Sequence, residues 1–507
     1  MRSRIARLRG EIAKHKLLSQ VLVLFSGSAL SQLVMMVLTV YLLKRYSPAD
    51  VGLLGLYTAV VGLALSVAAW RYDMAVMLPK TDAQAKQVFR LAARILLLMS
   101  VLTSVVCTLG ADAIARHYNE PRLKFWMPFT GLSVLSLGGI TLVVFWFNRR
   151  QEYKPIALNR IVQSTSVSVT QIGLSFTSLR GAAGLIVGTL LGQFLALGTL
   201  LRRARTLFTL STKDEPSLRD MMRRYKRMPL VNGPNAIVDA IRDNGITLLI
   251  GTVALGEVGY YTTTQRFLGI PLALINGAVS QVFFQRFTEL RPGEMSRFVK
   301  QSVVRSVAVG IVPFALLWLA GPWLFVTFIG PQWQPAGMMV RALIPWLFMT
   351  LITSPISTLF IVAERQGLLL AFSVLYTVVP LGILWANPWP FTTTLAVMSG
   401  AMAVLLIGMT LMALHVARTV DASAADARRE DADADKGAAP TDTGDTAADT
   451  PTDTGDTAAD TPTDTGDTAA DAPAGAERGT PTPPPRPTPP KWPSRRPPHR
   501  RVRGRAR

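Results

Sequence analysis

Asp239, Arg242 and Asp243 stand close together inside the apolar run PLVNGPNAIVDAIRDNGITLLIGTVAL. Arg266 lies inside the next run, VGYYTTTQRFLGIPLALINGAVSQVFFQRF. Runs of this length span a bilayer. An ionised side chain near the bilayer centre costs roughly 2.5–3.5 kcal/mol on the lenient insertion scale, so such residues face a bundle interior or a watery cavity. At about 1.5 Å per residue, Arg242 and Asp243 lie roughly 18 Å from a helix start near Leu230, and Arg266 roughly 14 Å from the start of the next helix. In a core about 30 Å thick, all three are near mid-depth and can share one cavity.

The spacing leaves distinct chemistries open. Asp239 is one helical turn from both Arg242 and Asp243, so an internal Asp239–Arg242 ion pair is one fate of these charges. Arg266 has no acid within a turn of its own helix. It needs either Asp243 from the preceding antiparallel helix or an anionic ligand, and its planar fork fits phosphate oxygens bidentately. Arg305 and Arg341, near span ends, either extend a basic route or, as the better reading, snorkel to the interface. Cys107 is the single cysteine, and His15, His117, His415 and His499 are scattered. No disulfide framework, metal site or cofactor is expected from them.

These residues must be positioned by membrane helices. Half of the 507 residues are hydrophobic although the last eighty or so are almost wholly polar or proline. Apolar runs give about twelve spans, near 18–43, 50–70, 88–110, 125–147, 156–177, 182–201, 230–254, 257–284, 303–329, 337–362, 367–386 and 391–415. A net charge of +21 would point to nucleic acid in a soluble protein. Here the bases cluster between spans, so the charge reads as topology and nucleic acid is excluded as a partner.

Alternate connections carry Arg71, Lys80, Lys86 and Arg90; Arg149, Arg150, Lys154 and Arg160; the segment from Arg202 to Arg227; Arg286 to Lys300; and Arg365. The positive-inside rule places these and both termini in the cytoplasm, against the smaller opposing count of Lys44, Arg45, Arg116, Arg122 and Lys124. The basic start, MRSRIARLRGEIAKHK, precedes a run from Leu17 to Leu43 that exceeds the apolar core of a cleaved signal. Gly184, Gly188 and Gly192 recur every four residues, as in close helix packing. Pro271, Pro313, Pro345, Pro355 and Pro380 fall inside spans, as static kinks or hinges.

An internal repeat organises the spans. Asp50-Val51-Gly52 opens the second and Glu257-Val258-Gly259 the eighth, 207 residues later. Two six-helix halves of the same orientation follow, and in transporters built from such parallel repeats the substrate site lies between them. The expected division is a basic N-terminus (1–16), a first bundle (17–201), a basic linker (202–228), a second bundle (229–415) and a tail (416–507). In the tail PTDTGDTAADT begins at Pro440, recurs at Pro451, and returns from Pro462 with Ala472 last. Such an acidic, low-complexity segment cannot repay its ordering entropy and is expected to be disordered. Its Pro- and Arg-rich end suits an anionic leaflet or the acidic repeats themselves.

Two blocks resemble a known family: LLKRYSPADVGLLGLYTAVVGLALSVAAWRYDMAVMLPKTDAQAKQVFRLA, and GEVGYYTTTQRFLGIPLALINGAVSQVFFQRFTEL with Gln265-Arg266 before Pro271 and Ser280-Gln281-Val282. They look like the bacterial polysaccharide biosynthesis proteins, the Wzx-type flippases, over residues 17–415. The resemblance implies an all-α polytopic fold of the multidrug, oligosaccharidyl-lipid and polysaccharide exporter superfamily, two six-helix bundles around a central cavity. It implies no enzyme but a carrier moving an undecaprenyl-diphosphate-linked oligosaccharide across the bacterial inner membrane, among membrane lipids and beside a polymerase or glycosyltransferase partner. Arg266, Arg242, Asp243 and Gln265 are then the candidate substrate contacts, with proton or sodium coupling at Asp239 or Asp243. Related lipid II flippases carry arginines on the first helix, where this chain offers Ser26, Ser28, Ser31 and Gln32. The alternatives are an ion-coupled multidrug exporter of the same fold, and a membrane glycan polymerase or ligase, which the short outer loops disfavour.

Overall fold

The computed structural model describes residues 36–207, 217–269, 272 and 293–437, less 358, 361, 362, 364 and 388. Among these there are helices and turns but no strand. Twelve principal helices follow the twelve apolar runs: α1 (36–43), α2 (Pro48–Ala68), α3 (Asp82–Leu109), α4 (Thr130–Arg149), α5 (Tyr153–Leu174), α6 (Ala182–Arg203), α7 (Arg227–Gly251), α8 (255–269), α9 (Met295–Leu324), α10 (Gln334–Thr353), α11 (Gln366–Ala386) and α12 (Phe391–Gly437). Eight are long and apolar enough to cross a membrane. Of the other four, α5 is rich in Ser, Thr and Gln, α7 carries the three charges near its middle, and α1 and α8 are described only in part. Ser26, Ser28, Ser31, Gln32, Pro271, Ser280, Gln281, Val282 and the repeats from Pro440 lie outside the described residues.

Local chemistry sets several boundaries. Ser47 caps α2 by accepting from Asp50 N, with Pro48 preset for the first turn, and Thr81 caps α3 by accepting from Gln84 N. Pro355 falls in the turn after α10 and not inside a span; Ser354 before it is still helical, and proline, having no N–H to donate to the carbonyl four residues back, stops the helical bonding there. At the other extreme, α12 continues to Gly437, past residue 416 where the change in composition places the tail. The Ala-rich segment DASAADARREDADADK has good helix propensity and extends a helix that the membrane has already nucleated. Asp421 fixes this extension by accepting from Met295 N at 3.0 Å and Ser296 N at 2.9 Å, which caps α9.

Within the first half α5 lies along α6, and α4 packs among α2, α3 and α6. The small-residue face of α6 does what its spacing predicts. A Cβ on Gly188 would run into Gln171, and one on Gly192 into Val167. Gln171 Nε2 donates to Leu185 O (3.1 Å) and to Thr189 Oγ1 (2.9 Å), and Tyr46 OH donates to Gln171 O at 2.7 Å. In the second half α9, α10, α11 and α12 pack together, and α7 lies against both α11 and α2 of the first half. The linker's short helix, Leu218–Arg224, packs on α3.

The repeat is visible as paired contacts. A Cβ on Gly52 would strike Leu255 O and come within 3.2 Å of Gly259 N. One on Gly259 would strike Pro48 O and come within 3.2 Å of Gly52 N. Positions 48 and 255, and 52 and 259, are each 207 apart, so α2 and α8 cross about a pseudo-two-fold axis. Tyr57 OH donates to Phe129 O at 2.9 Å, and Thr264 Oγ1 donates to Ala336 O at 2.9 Å. That is the same bond at the same offset. Trp126-x-Pro128 and Trp333-x-Pro335 keep the offset as well. Trp333 is fully buried and donates from Nε1 to Leu43 O at 3.1 Å, tying the α9–α10 connection to α1.

The crossing tolerates no side chain. Gly52→Leu and Gly259→Leu are each expected to lower stability by about 1–3 kcal/mol, the usual cost of overpacking, with a double variant less than additive because both act on one contact. Gly198→Ala, where nothing lies within 4 Å of an added Cβ, should instead gain about 0.5–1 kcal/mol. Melting curves of the purified variants check all three.

A charged network closes the same end of the first half. Asp50 Oδ1 accepts from Ala182 N at 3.0 Å, across Gly181, whose φ of +83° suits glycine. Arg122 reaches Asp50 at 3.4 Å and Glu120 at 2.7 Å. The hydrogen bond from Arg122 holds the Glu120 carboxyl below its ordinary range. The resulting stabilisation is therefore complete above about pH 4.3 and is lost as pH falls through the lowered value. Arg122→Gln should melt below the parent at neutral pH by about 1 kcal/mol or less, with the gap closing under acid.

Candidate functional site

The charges on α7 form one cluster. Arg242 reaches Asp239 Oδ1 and Asp243 Oδ1, each at 2.9 Å. Its side chain is 15% exposed, against 42% for Asp239 and 61% for Asp243. The guanidinium is thus the buried spine, with both carboxylates reaching toward open space. Its Cζ lies 5.1 Å from the centre of the Tyr376 ring, a cation–π contact. Ser373 Oγ donates to Asp239 Oδ1 at 3.1 Å, and Tyr376 OH accepts from Trp346 Nε1 at 2.5 Å. Trp346 N in turn donates to Ser399 Oγ at 3.2 Å. Helices α7, α10, α11 and α12 therefore share one polar core.

The expected Asp239–Arg242 pair is made, and Asp243 joins it from the neighbouring position. Two carboxylates on one guanidinium give a formal charge of −1 and leave Arg242 little capacity for a phosphate. Gln265 belongs to the edge of the cluster: its Nε2 donates to Tyr261 OH at 2.9 Å, and Tyr261 is within electrostatic reach of Arg242 and Asp243.

Arg266 stands apart. Gly259 meets Pro48 and Gly52, while Val258 and Thr262 are the groups a Cβ on Gly55 would meet. These contacts define the face of α8 that looks at α2. Arg266 follows Thr262 by one helical turn and Gly259 by two, so it emerges from that face just past the crossing, between the two halves. Among the described residues it makes no hydrogen bond or ion pair, and Asp243 is engaged by Arg242. On α2 the position 207 residues earlier is the buried Ala59, so the arginine has no repeat counterpart.

Ser373, Tyr376, Trp346 and Ser399 were not legible as site residues from α7 and α8. One signal was available: Ser373, Tyr376 and Thr377 form a polar stripe at helical spacing within the apolar run of α11. Arg341 does not line a basic route; its Nε donates to Trp318 O at 2.9 Å near the end of α9. Among the described residues no three His, Cys, Asp or Glu side chains gather as metal ligands.

Residues 42–337 match the model of a family described as polysaccharide biosynthesis protein. No curated protein matches the chain in sequence. The fold is similar to that of the lipid II flippase MurJ in an inward closed conformation, at 11% identity and a TM-score of 0.63, covering 79% of this chain and 90% of that one. It is also similar to an inward-facing multidrug resistance MATE-family transporter of the MOP superfamily, at 13% identity and a TM-score of 0.60, covering 80% and 95%. A MOP-superfamily transporter from Pyrococcus furiosus, with a binding pocket of reverse polarity, is similar at 14% identity and a TM-score of 0.51, covering 79% of this chain and 96% of that one.

Removing the spine of the α7 cluster should be more damaging than removing either exposed arm. Arg242→Gln leaves two carboxylates facing one another and is expected to cost about 1–3 kcal/mol. Asp243→Asn, at the more exposed arm, should cost under about 1 kcal/mol. Denaturation of the detergent-solubilised variants measures both.

Proposed function

The chain belongs to the polysaccharide biosynthesis protein family, and from that premise we propose that it is a flippase for an undecaprenyl-diphosphate-linked oligosaccharide, a carrier and not an enzyme. The observation that carries this reading is Arg266, a cation near mid-depth on the α8 face between the halves that has no ion-pair partner among the described residues. A diphosphate does not cross hydrocarbon bare. A guanidinium at the junction offsets part of its charge through bidentate contacts, while the glycan occupies the aqueous space between bundles and the polyprenyl tail stays in lipid.

The helix ends rich in Arg and Lys are assigned to the cytoplasm of a bacterial inner membrane by the positive-inside rule. The α2–α8 crossing then lies at the periplasmic end, and rocking of the halves about it exchanges access. A membrane potential negative inside favours outward movement of net negative charge by about 2.3 kcal/mol per charge per 100 mV. Asp239 and Asp243 remain the sites proposed for a coupling proton or sodium ion. Ser373 beside Asp239 adds a hydroxyl oxygen to such a site.

One observation favours the rival, an ion-coupled multidrug exporter: the α7 cluster carries an excess of one negative charge, which suits a cationic cargo. The two are separated by a leaflet assay in proteoliposomes. With a lipid-linked oligosaccharide, Arg266→Ala is expected to slow transport at least tenfold, while Asp239→Asn with Asp243→Asn abolishes its response to imposed proton or sodium gradients. Undiminished transport by Arg266→Ala removes the central assignment, and uptake of cationic dyes in place of the lipid favours the exporter.

A further inference from the structure

The first half holds a cavity of about 270 Å³ at the basic end of α2, with Gly62, Ser66, Arg71, Asp73 and Thr141 in its lining. It differs from a packing void in its polar atoms. Among the described residues Arg71 Nε and Asp73 Oδ1 are both buried without a hydrogen-bond partner, and Asp73 as a whole is only 8% exposed. Buried polar groups are seldom left unspent, and each exception asks for an explanation.

The backbone that holds them is also unusual. Trp70 and Arg71 have φ of 45° and 59°, in the left-handed region that residues other than glycine enter at a cost. Strain of this kind persists where the surroundings impose it, and it clusters at ligand sites. The turn presents a cation and an acid two residues apart without letting them pair. Ser66 and Thr141 donate to Leu63 O and Leu137 O of their own helices, which leaves hydroxyl lone pairs free to accept. The cavity adjoins the seam between the halves, because Gly62 packs against the Asn244 side chain of α7.

The donor set selects among ligands. Phosphate suits Arg71 but meets the Asp73 oxygen, and an apolar molecule leaves Arg71 Nε and Asp73 Oδ1 without partners. Neighbouring hydroxyls on a sugar ring donate to the carboxylate and accept from the guanidinium together. The volume is below the roughly 300–1,000 Å³ of pockets for drug-sized ligands and suits a single ring. We infer that this cavity is a saccharide subsite, resting on the flippase reading, that takes one sugar of the cargo glycan through Arg71 and Asp73.

The test uses the full-length protein in lipid nanodiscs, titrated with methyl glycosides of glucose, galactose and N-acetylglucosamine and followed by saturation-transfer NMR. At least one glycoside is expected to bind saturably, to weaken at least tenfold in Asp73→Ala and Arg71→Gln, and to be unaffected by Gly198→Ala. Because substitutions at a strained turn can unfold the protein, Thr141→Trp supplies a second arm: it fills the cavity from an exposed lining position and should abolish binding with the melting curve unchanged. The inference is overturned if none of the three glycosides binds, if binding survives both Asp73→Ala and Thr141→Trp, or if inorganic pyrophosphate displaces the sugar. A parent protein that binds the glycoside yet moves no lipid-linked oligosaccharide would sink the flippase reading and leave the subsite standing.

Discussion

The backbone-to-backbone crossing of α2 and α8 governs the rest of the structure. In lipid, helices gain little from burying apolar side chains against one another, so association depends on close packing. Gly52 and Gly259 supply it by letting each helix touch the other's carbonyl. The crossing fixes which face of α8 looks at α2, and so where Arg266 emerges. It also sets α2 so that Gly62 meets Asn244 of α7, which brings the charged helix of the second half against the first.

Around this symmetric joint the chemistry is unequal. Asp50 is fully used, accepting from Ala182 N and Ser47 Oγ and facing Arg122. Its counterpart Glu257 keeps a buried Oε2 without a partner among the described residues. The cluster of Asp239, Arg242 and Asp243 belongs to the second half, while the Arg71–Asp73 cavity belongs to the first. A duplicated scaffold thus holds two different polar sites, one beside each bundle's share of the seam. The repeat accounts for the shape of the space between halves and not for its recognition chemistry.

Sequence patterning exposed the parts of this arrangement that are local. Apolar runs delimit helices because the bilayer sets their length, and the Asp239–Arg242 pair follows from one-turn spacing. Asp243 was harder to place, since adjacent helical residues do not face one another, yet the long guanidinium reaches both acids from between them. Ser373 and Tyr376 lie more than 130 residues from Asp239, and only packing of α11 on α7 brings them in. Arg71 read as a topology signal because its type is visible and its left-handed backbone is not. The length of α12 was hidden for the opposite reason: composition announced a tail, whereas helix propensity and the Asp421 cap carry order beyond the apolar stretch.

That long α12 has a mechanical meaning. From Phe391 to Gly437 it forms one helix of 47 residues, roughly 70 Å at the standard rise. It is clamped to the start of α9 by Asp421, where it leaves the apolar region. A rod gripped at that point is tied to the bundle of α9, and any tilt of that bundle displaces the far end of the rod more than it displaces a residue beside the clamp. From Asp421 to Gly437 the helix runs roughly 24 Å past the clamp at the same rise, a lever arm that carries the orientation of its bundle beyond the apolar part of the protein.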